Sequence, residues 1–170
     1  MGAPTPQHAA EGAAQQPAET ASQQVAEAAC EAMLARDRVS RGLGLQVLAV
    51  GPGHATLRMA VRDDMLNGHD ICHGGFVTTL ADSAFAFACN AYNEVTVASG
   101  FDMNLIAAAR MGDVLTAVAT EVAKSGRTGV YDIAVSNQHG ERVAAFRGRS
   151  YTMKGRPVVE GLPIGKQRGS

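Results

Sequence analysis

Between Gly74 and Asn93 almost every position is apolar or small, and one charged residue, Asp82, interrupts the run. Phe76, Val77, Leu80, Ala81, Ala84, Phe85 and Phe87 leave no polar face. A helix that is apolar all round has to be buried all round, so the rest of the chain must wrap it. The flanking patterns supply the wrapping. Upstream, residues 44–50 and 54–61 read as two strands joined by the turn Gly51-Pro52-Gly53. Downstream, residues 95–104, 113–124, 128–137 and 142–153 read as four more, with hairpin signals at Ser125-Gly126 and His139-Gly140. The order β, β, long helix, then four β predicts an α+β domain: a meandering antiparallel sheet whose apolar face and the helix bury each other.

At 170 residues and 46% hydrophobic, the chain has material for one core and is short for two. Residues 1–22 are rich in Ala, Gln, Pro, Thr and Ser. They are expected to form a mobile tail. Residues 22–38 carry strong helix formers with Val25, Ala29, Met33 and Leu34 near helical spacing, which predicts a short amphipathic helix. The domain is expected over residues 23–155, followed by a basic extension at 156–170.

A net charge of −1 provides no global field for nonspecific nucleic-acid binding. Locally, seven basic residues from Arg142 onward face only Glu160, which suits either a solvated end or a phosphate-rich ligand. Cys30, Cys72 and Cys89 fit neither a disulfide framework nor a zinc pattern. No stretch approaches the roughly 18 apolar residues of a membrane span, and no leader pattern opens the chain. A soluble, cytoplasmic protein with reduced thiols is expected, with no membrane or nucleic-acid partner.

Asp82 is the strongest chemical clue. An ionised carboxylate in such surroundings is costly unless it has a partner or a task. It is either structural, hydrogen-bonded to Thr78 or Thr79 or paired with an Arg, or it works on a substrate. His73-Gly74-Gly75 stands where loop becomes helix. Glycines there permit close approach, and the free N–H groups of a first helical turn can act as an oxyanion hole. Asn67 could bind an attacking water or Asp82, and His73 could orient the loop or a substrate carbonyl. His69, Asp70, Cys72 and His73 lack an established metal-ligand spacing, so no metal is expected. Cys72 is read as a bystander. Lys124 and Arg127, flanking a turn, and Arg149 are candidates for binding phosphates.

The run from Asn67 to Asn90, with Gly112-Asp113, Ser125-Gly126-Arg127-Thr128 and Gly148-Arg149-Ser150, resembles the phenylacetic acid degradation thioesterases, the PaaI branch of the hotdog superfamily. The resemblance spans about residues 42–153. It implies a hotdog fold, an acyl-CoA substrate with no further cofactor, and a homotetramer of dimers in which the pantetheine arm threads between subunits. It also implies functional roles for Asn67, His73, Gly74 and Asp82. Two other functions are weighed, a hotdog enoyl-CoA hydratase or dehydratase and a non-catalytic acyl-CoA sensor. Eight residues separate Gly74 from Asp82, about 12 Å along a helix axis. One Asp side chain cannot span that gap, so a composite site is expected, Gly74 of one subunit working with Asp82 of its partner.

Overall fold

The computed structural model describes residues 8–165, with side chains from residue 20 onward. Helix α1 spans His8–Arg36, and a short helix α2 spans Arg38–Leu43. Strands β1 (Gln46–Gly51) and β2 (His54–Ala60) follow, then helix α3 (Gly74–Asn90). Strands β3 (Thr96–Leu105), β4 (Val114–Ser125), β5 (Thr128–Ser136) and β6 (Arg142–Thr152) complete the fold.

Every expected strand is present, and all pairs are antiparallel. The sheet differs from a simple meander: its order is β1-β2-β4-β5-β6-β3. Helix α3 carries the chain across the sheet, so β3 becomes the edge beside β6 rather than the neighbour of β2. The sheet curls around α3. Leu80, Ala81, Ala84 and Ala88 of α3 are fully buried against Leu57, Met59, Leu115 and Ala117 of the strands. The Phe85 ring lies on Gly148 so closely that a Cβ at 148 would stand 2.9 Å from it. Any side chain there would overpack the core, at a cost of about 1–3 kcal/mol.

The N-terminal helix is longer than the 22–38 pattern predicts. Its backbone runs helically through residues 8–22, where a mobile tail was expected; residues 1–7 of that tail lie outside the described residues. Ala, Glu and Gln have high helix propensity. They propagate a helix whose C-terminal half is anchored by the buried Val25, Ala26, Ala29 and Cys30. The helix stops at Arg36 because Asp37 caps the next one, accepting the N–H groups of Val39 and Ser40. The segment after β6 is tied down as well. Buried Asn93 donates to the carbonyls of Val159, Leu162 and Pro163 and accepts the Val159 N–H.

Candidate active site

The loop before α3 is built by its own polar groups. The Asn67 Oδ1 accepts the His69 N–H (2.9 Å), its carbonyl accepts the Asp70 N–H, and its N–H donates to Ile71. The His73 N–H donates to the carbonyl of Met65, in a 3-10 turn after β2, and the Cys72 N–H to that of Ala109, which ties the loop to the connection between β3 and β4. This folds Asn67 and His73 to the N-terminal end of α3.

His73 is the N-cap of α3, its Nδ1 accepting the Gly75 N–H at 3.0 Å. An accepting Nδ1 leaves the ring proton on Nε2, where it can donate outward. The Phe76 N–H is taken by the His73 carbonyl. Among the described residues, no acceptor meets the Gly74 N–H. The first turn of α3 holds no acidic residue, so no carboxylate of its own offsets the partial positive charge there. Close approach at Gly74 is real: a Cβ there would lie 2.5 Å from Leu105 Cδ1 at the end of β3.

Asp82 sits two turns further along. Its carboxylate makes no hydrogen bond or ion pair among the described residues, and burial pushes its carboxyl above the ordinary carboxylate range. The structural reading of this residue is not what the geometry supports. The Thr78 hydroxyl donates to the Gly74 carbonyl and that of Thr79 to Gly75, each at 2.8 Å, so neither reaches Asp82. No arginine pairs with it among the described residues. Asp82 is half-buried on α3. Phe85, its neighbour one turn on, contacts Phe146 of β6 and Tyr131 of β5.

Burial raises the Cys72 thiol, and it lifts that of Cys89 to about 12, which disfavours the thiolate that a nucleophilic cysteine needs. Among the described residues no group of three or more His, Cys, Asp or Glu side chains could hold a metal ion.

The three candidate phosphate ligands lie elsewhere. Lys124 and Arg127 flank the β4–β5 turn, at the end of the sheet near the C-terminus of α3, remote from Gly74 within the same chain. The Lys124 ammonium rests 4.2 Å over the Tyr92 ring, and desolvation lowers its pKa. Arg127 lies 5.9 Å over Tyr151 and donates to the Thr152 carbonyl. Arg149 is held by Asp102 at 2.5 Å. Arg147 and Lys154 of the basic C-terminal region are likewise paired, with Asp132 and Glu94. A groove of about 580 Å³ on the outer face of the sheet, lined by residues including Asp102, Thr120, Asp132 and Arg147, does not include Asp82, His73 or Gly74.

Two features were not anticipated from the sequence. Leu105 closes on Gly74, for which no local signal exists, because the contact joins an edge strand to a helix 31 positions earlier. The Glu121 carboxylate accepts both the Tyr92 and Tyr131 hydroxyls at 2.9 Å. A Glu in an otherwise apolar and threonine-rich strand was the available hint.

A six-stranded antiparallel sheet curled around one long helix is the hotdog fold, here with an open helix N-terminus and, among the described residues, an unpartnered carboxylate on that same helix. Residues 69–144 match the family model described as Thioesterase superfamily. The chain belongs to that superfamily. It is 41% identical over 124 residues to the acyl-coenzyme A thioesterase PaaI of Escherichia coli, covering 73% of this chain and 89% of that protein. The solved structure of the E. coli PaaI protein from the phenylacetic acid degradation operon superposes with a TM-score of 0.77 at 39% identity, covering 79% of this chain and 97% of that one. A variant of the phenylacetic acid degradation protein PaaI from Thermus thermophilus gives 0.65 at 39% identity, covering 68% and 98%.

Proposed function

We propose that this chain hydrolyses an acyl-CoA thioester, phenylacetyl-CoA, a ring-hydroxylated relative or a similar aryl or short acyl thioester, to the free acid and CoA. The observation that carries the reading is Asp82, a half-buried carboxylate without a protein partner among the described residues, on the same helix as an open N-terminus. The Gly74 N–H would bind the thioester oxygen as charge develops on it. His73, through Nε2–H, would orient the same carbonyl, and the Asn67 amide would hold water. Asp82 would act as general base on that water or attack the carbonyl itself. In the general-base route the C–S bond breaks and the oxygen of water enters the acid directly. In the nucleophilic route the C–S bond breaks as Asp82 forms a mixed anhydride, which water then cleaves, its oxygen entering either Asp82 or the acid. In both the sulfur of CoA leaves as thiolate and takes a proton.

The working unit of the proposal is a homodimer with two composite sites, assembling further into a tetramer. Helix α3 is continuous from Gly74 through Asp82, so the separation of about 12 Å along its axis applies. Strand β3 is a ten-residue edge strand, paired on one side only, by β6. Such an edge is a template for pairing with a second copy. Lys124, Arg127 and Arg149 are the proposed contacts for the CoA phosphates. A cytoplasmic setting belongs to the proposal, supported by three buried, unpaired thiols; among the described residues no helix is long and apolar enough to cross a membrane.

The test is thiol release from a panel of aryl, short aliphatic and long aliphatic acyl-CoAs, with enoyl-CoA included. Hydrolysis of the aryl or short thioesters supports the proposal. Conversion of enoyl-CoA to hydroxyacyl-CoA without thiol release from any thioester overturns it in favour of a hydratase.

A further inference from the structure

We infer that Phe101 is the residue with which this site reads an aromatic ring in the acyl group, an inference that rests on the thioesterase reading above. Alternation along β3 divides its residues between two faces. Asp102 and Asn104 line the outer groove. Phe101, Met103 and Leu105 face α3: Met103 packs on the core, and Leu105 closes on Gly74. Phe101 stacks on Phe146 with ring centroids 4.8 Å apart and planes 22° from parallel.

Phe101 is nevertheless 44% exposed, whereas Phe146 beneath it is 2% exposed. One face of its ring is held in place and the rest is open. A chain of rings connects it to the reacting group: Phe101 on Phe146, Phe146 at 6.0 Å from Phe85, and Phe85 beside Asp82 on the surface of α3. An acyl group whose carbonyl carbon is attacked at Asp82 extends along this seam between α3 and β3. An aromatic acyl group then meets a preoriented ring, with which offset or edge-on packing adds to simple burial. An aliphatic chain of the same size gains the burial alone. Phe101 thus discriminates by ring chemistry, while Asp82 and Gly74 act on the thioester common to both.

The experiment compares kcat/KM for phenylacetyl-CoA and octanoyl-CoA, whose acyl groups have equal carbon number, in wild type, Phe101→Leu and Phe101→Tyr. Wild type favours phenylacetyl-CoA. Phe101→Leu, which keeps apolar bulk and loses the ring, lowers the preference roughly three- to tenfold, the scale of one aromatic pair; Phe101→Tyr keeps it. Size-exclusion chromatography of each variant accompanies the kinetics. An unchanged ratio in Phe101→Leu overturns the inference, including the case in which both rates fall together as the dimer dissociates, which makes Phe101 an association residue. A wild-type preference for octanoyl-CoA also overturns it. In both cases the thioesterase reading stands; it fails, and the inference with it, only if no thioester releases thiol.

Discussion

The Thr78 hydroxyl donates to the Gly74 carbonyl at 2.8 Å, and in doing so it turns away from Asp82, one helical turn further on. The bond uses the hydroxyl's one proton and leaves the Asp82 carboxylate without a donor from Thr78, as the proposed mechanism requires. Thr78→Val is therefore expected to shift stability by less than about 1 kcal/mol and to leave the acid limb of the pH–rate profile in place. A downward shift of that limb in wild type relative to the variant would mean that Thr78 does hydrogen-bond the ionised Asp82.

Burial raises the Asp82 carboxyl, which has two consequences of definite sign. Activity that needs the ionised form should rise with pH through a pKa above the usual carboxylate range of about 4. Stability should run the other way. A carboxyl whose folded pKa lies above its unfolded value favours the fold when protonated. That advantage is complete below the unfolded pKa and is lost as pH rises through the folded one. Asp82→Asn should accordingly be more stable than wild type near pH 7, with the difference shrinking as the pH falls into the ordinary carboxylate range. Its kcat should drop roughly a hundredfold or more. Thermal melts across pH check the first statement and steady-state kinetics the second; a variant less stable at neutral pH, or one with near-normal turnover, contradicts the assignment.

Among the described residues no carboxylate pairs with Arg127, while Asp102 already takes one Nη of Arg149 and offsets part of the charge a phosphate would meet there. Arg127→Ala is therefore expected to raise KM about tenfold at low ionic strength with little change in kcat, the pattern of a lost charged contact made equally in ground and transition states. Arg149→Ala should raise it less. Salt should erode the difference. An unchanged KM in Arg127→Ala at low salt removes this turn from the CoA site.

The element order and the strand boundaries were legible because period-2 patterns and Gly-containing turns act locally, as at Gly53 and Gly126, both with positive φ. The buried helix was legible because Gly74–Asn90 lacks a polar face. The place of β3 was not. Pairing Thr96 with Thr152 and Leu105 with Ala144 is a choice between distant partners that no local pattern encodes. For the same reason the contact of Leu105 with Gly74 and the stack of Phe101 on Phe146 appear only in three dimensions. Asp82, His73 and Gly74 stood out as residue types in the wrong or exposed place, a carboxylate in an apolar run and glycines at a helix start. The capping bond of the His73 Nδ1 depends on a ring orientation that spacing leaves undetermined. The N-terminal helix was underestimated because Gly12 and Pro17 read as helix breakers and residues 8–22 carry no apolar stripe.

The composite site is tested most directly by mixing two inactive variants, Asp82→Ala and Gly74→Pro. Proline suits the test, since Gly74 is the first residue of α3, where the ring is tolerated: the open N–H is lost, and the added Cβ displaces the exposed end of the Leu105 side chain. His73, at φ −59° and ψ 129°, already has the extended backbone that a following proline requires. In each mixed dimer one site carries both lesions and the other carries neither. Random exchange makes about half the dimers mixed, so activity should return to roughly a quarter of wild type. With subunit exchange confirmed by native mass spectrometry, the absence of any recovery would place Gly74 and Asp82 in one subunit's site and contradict the account.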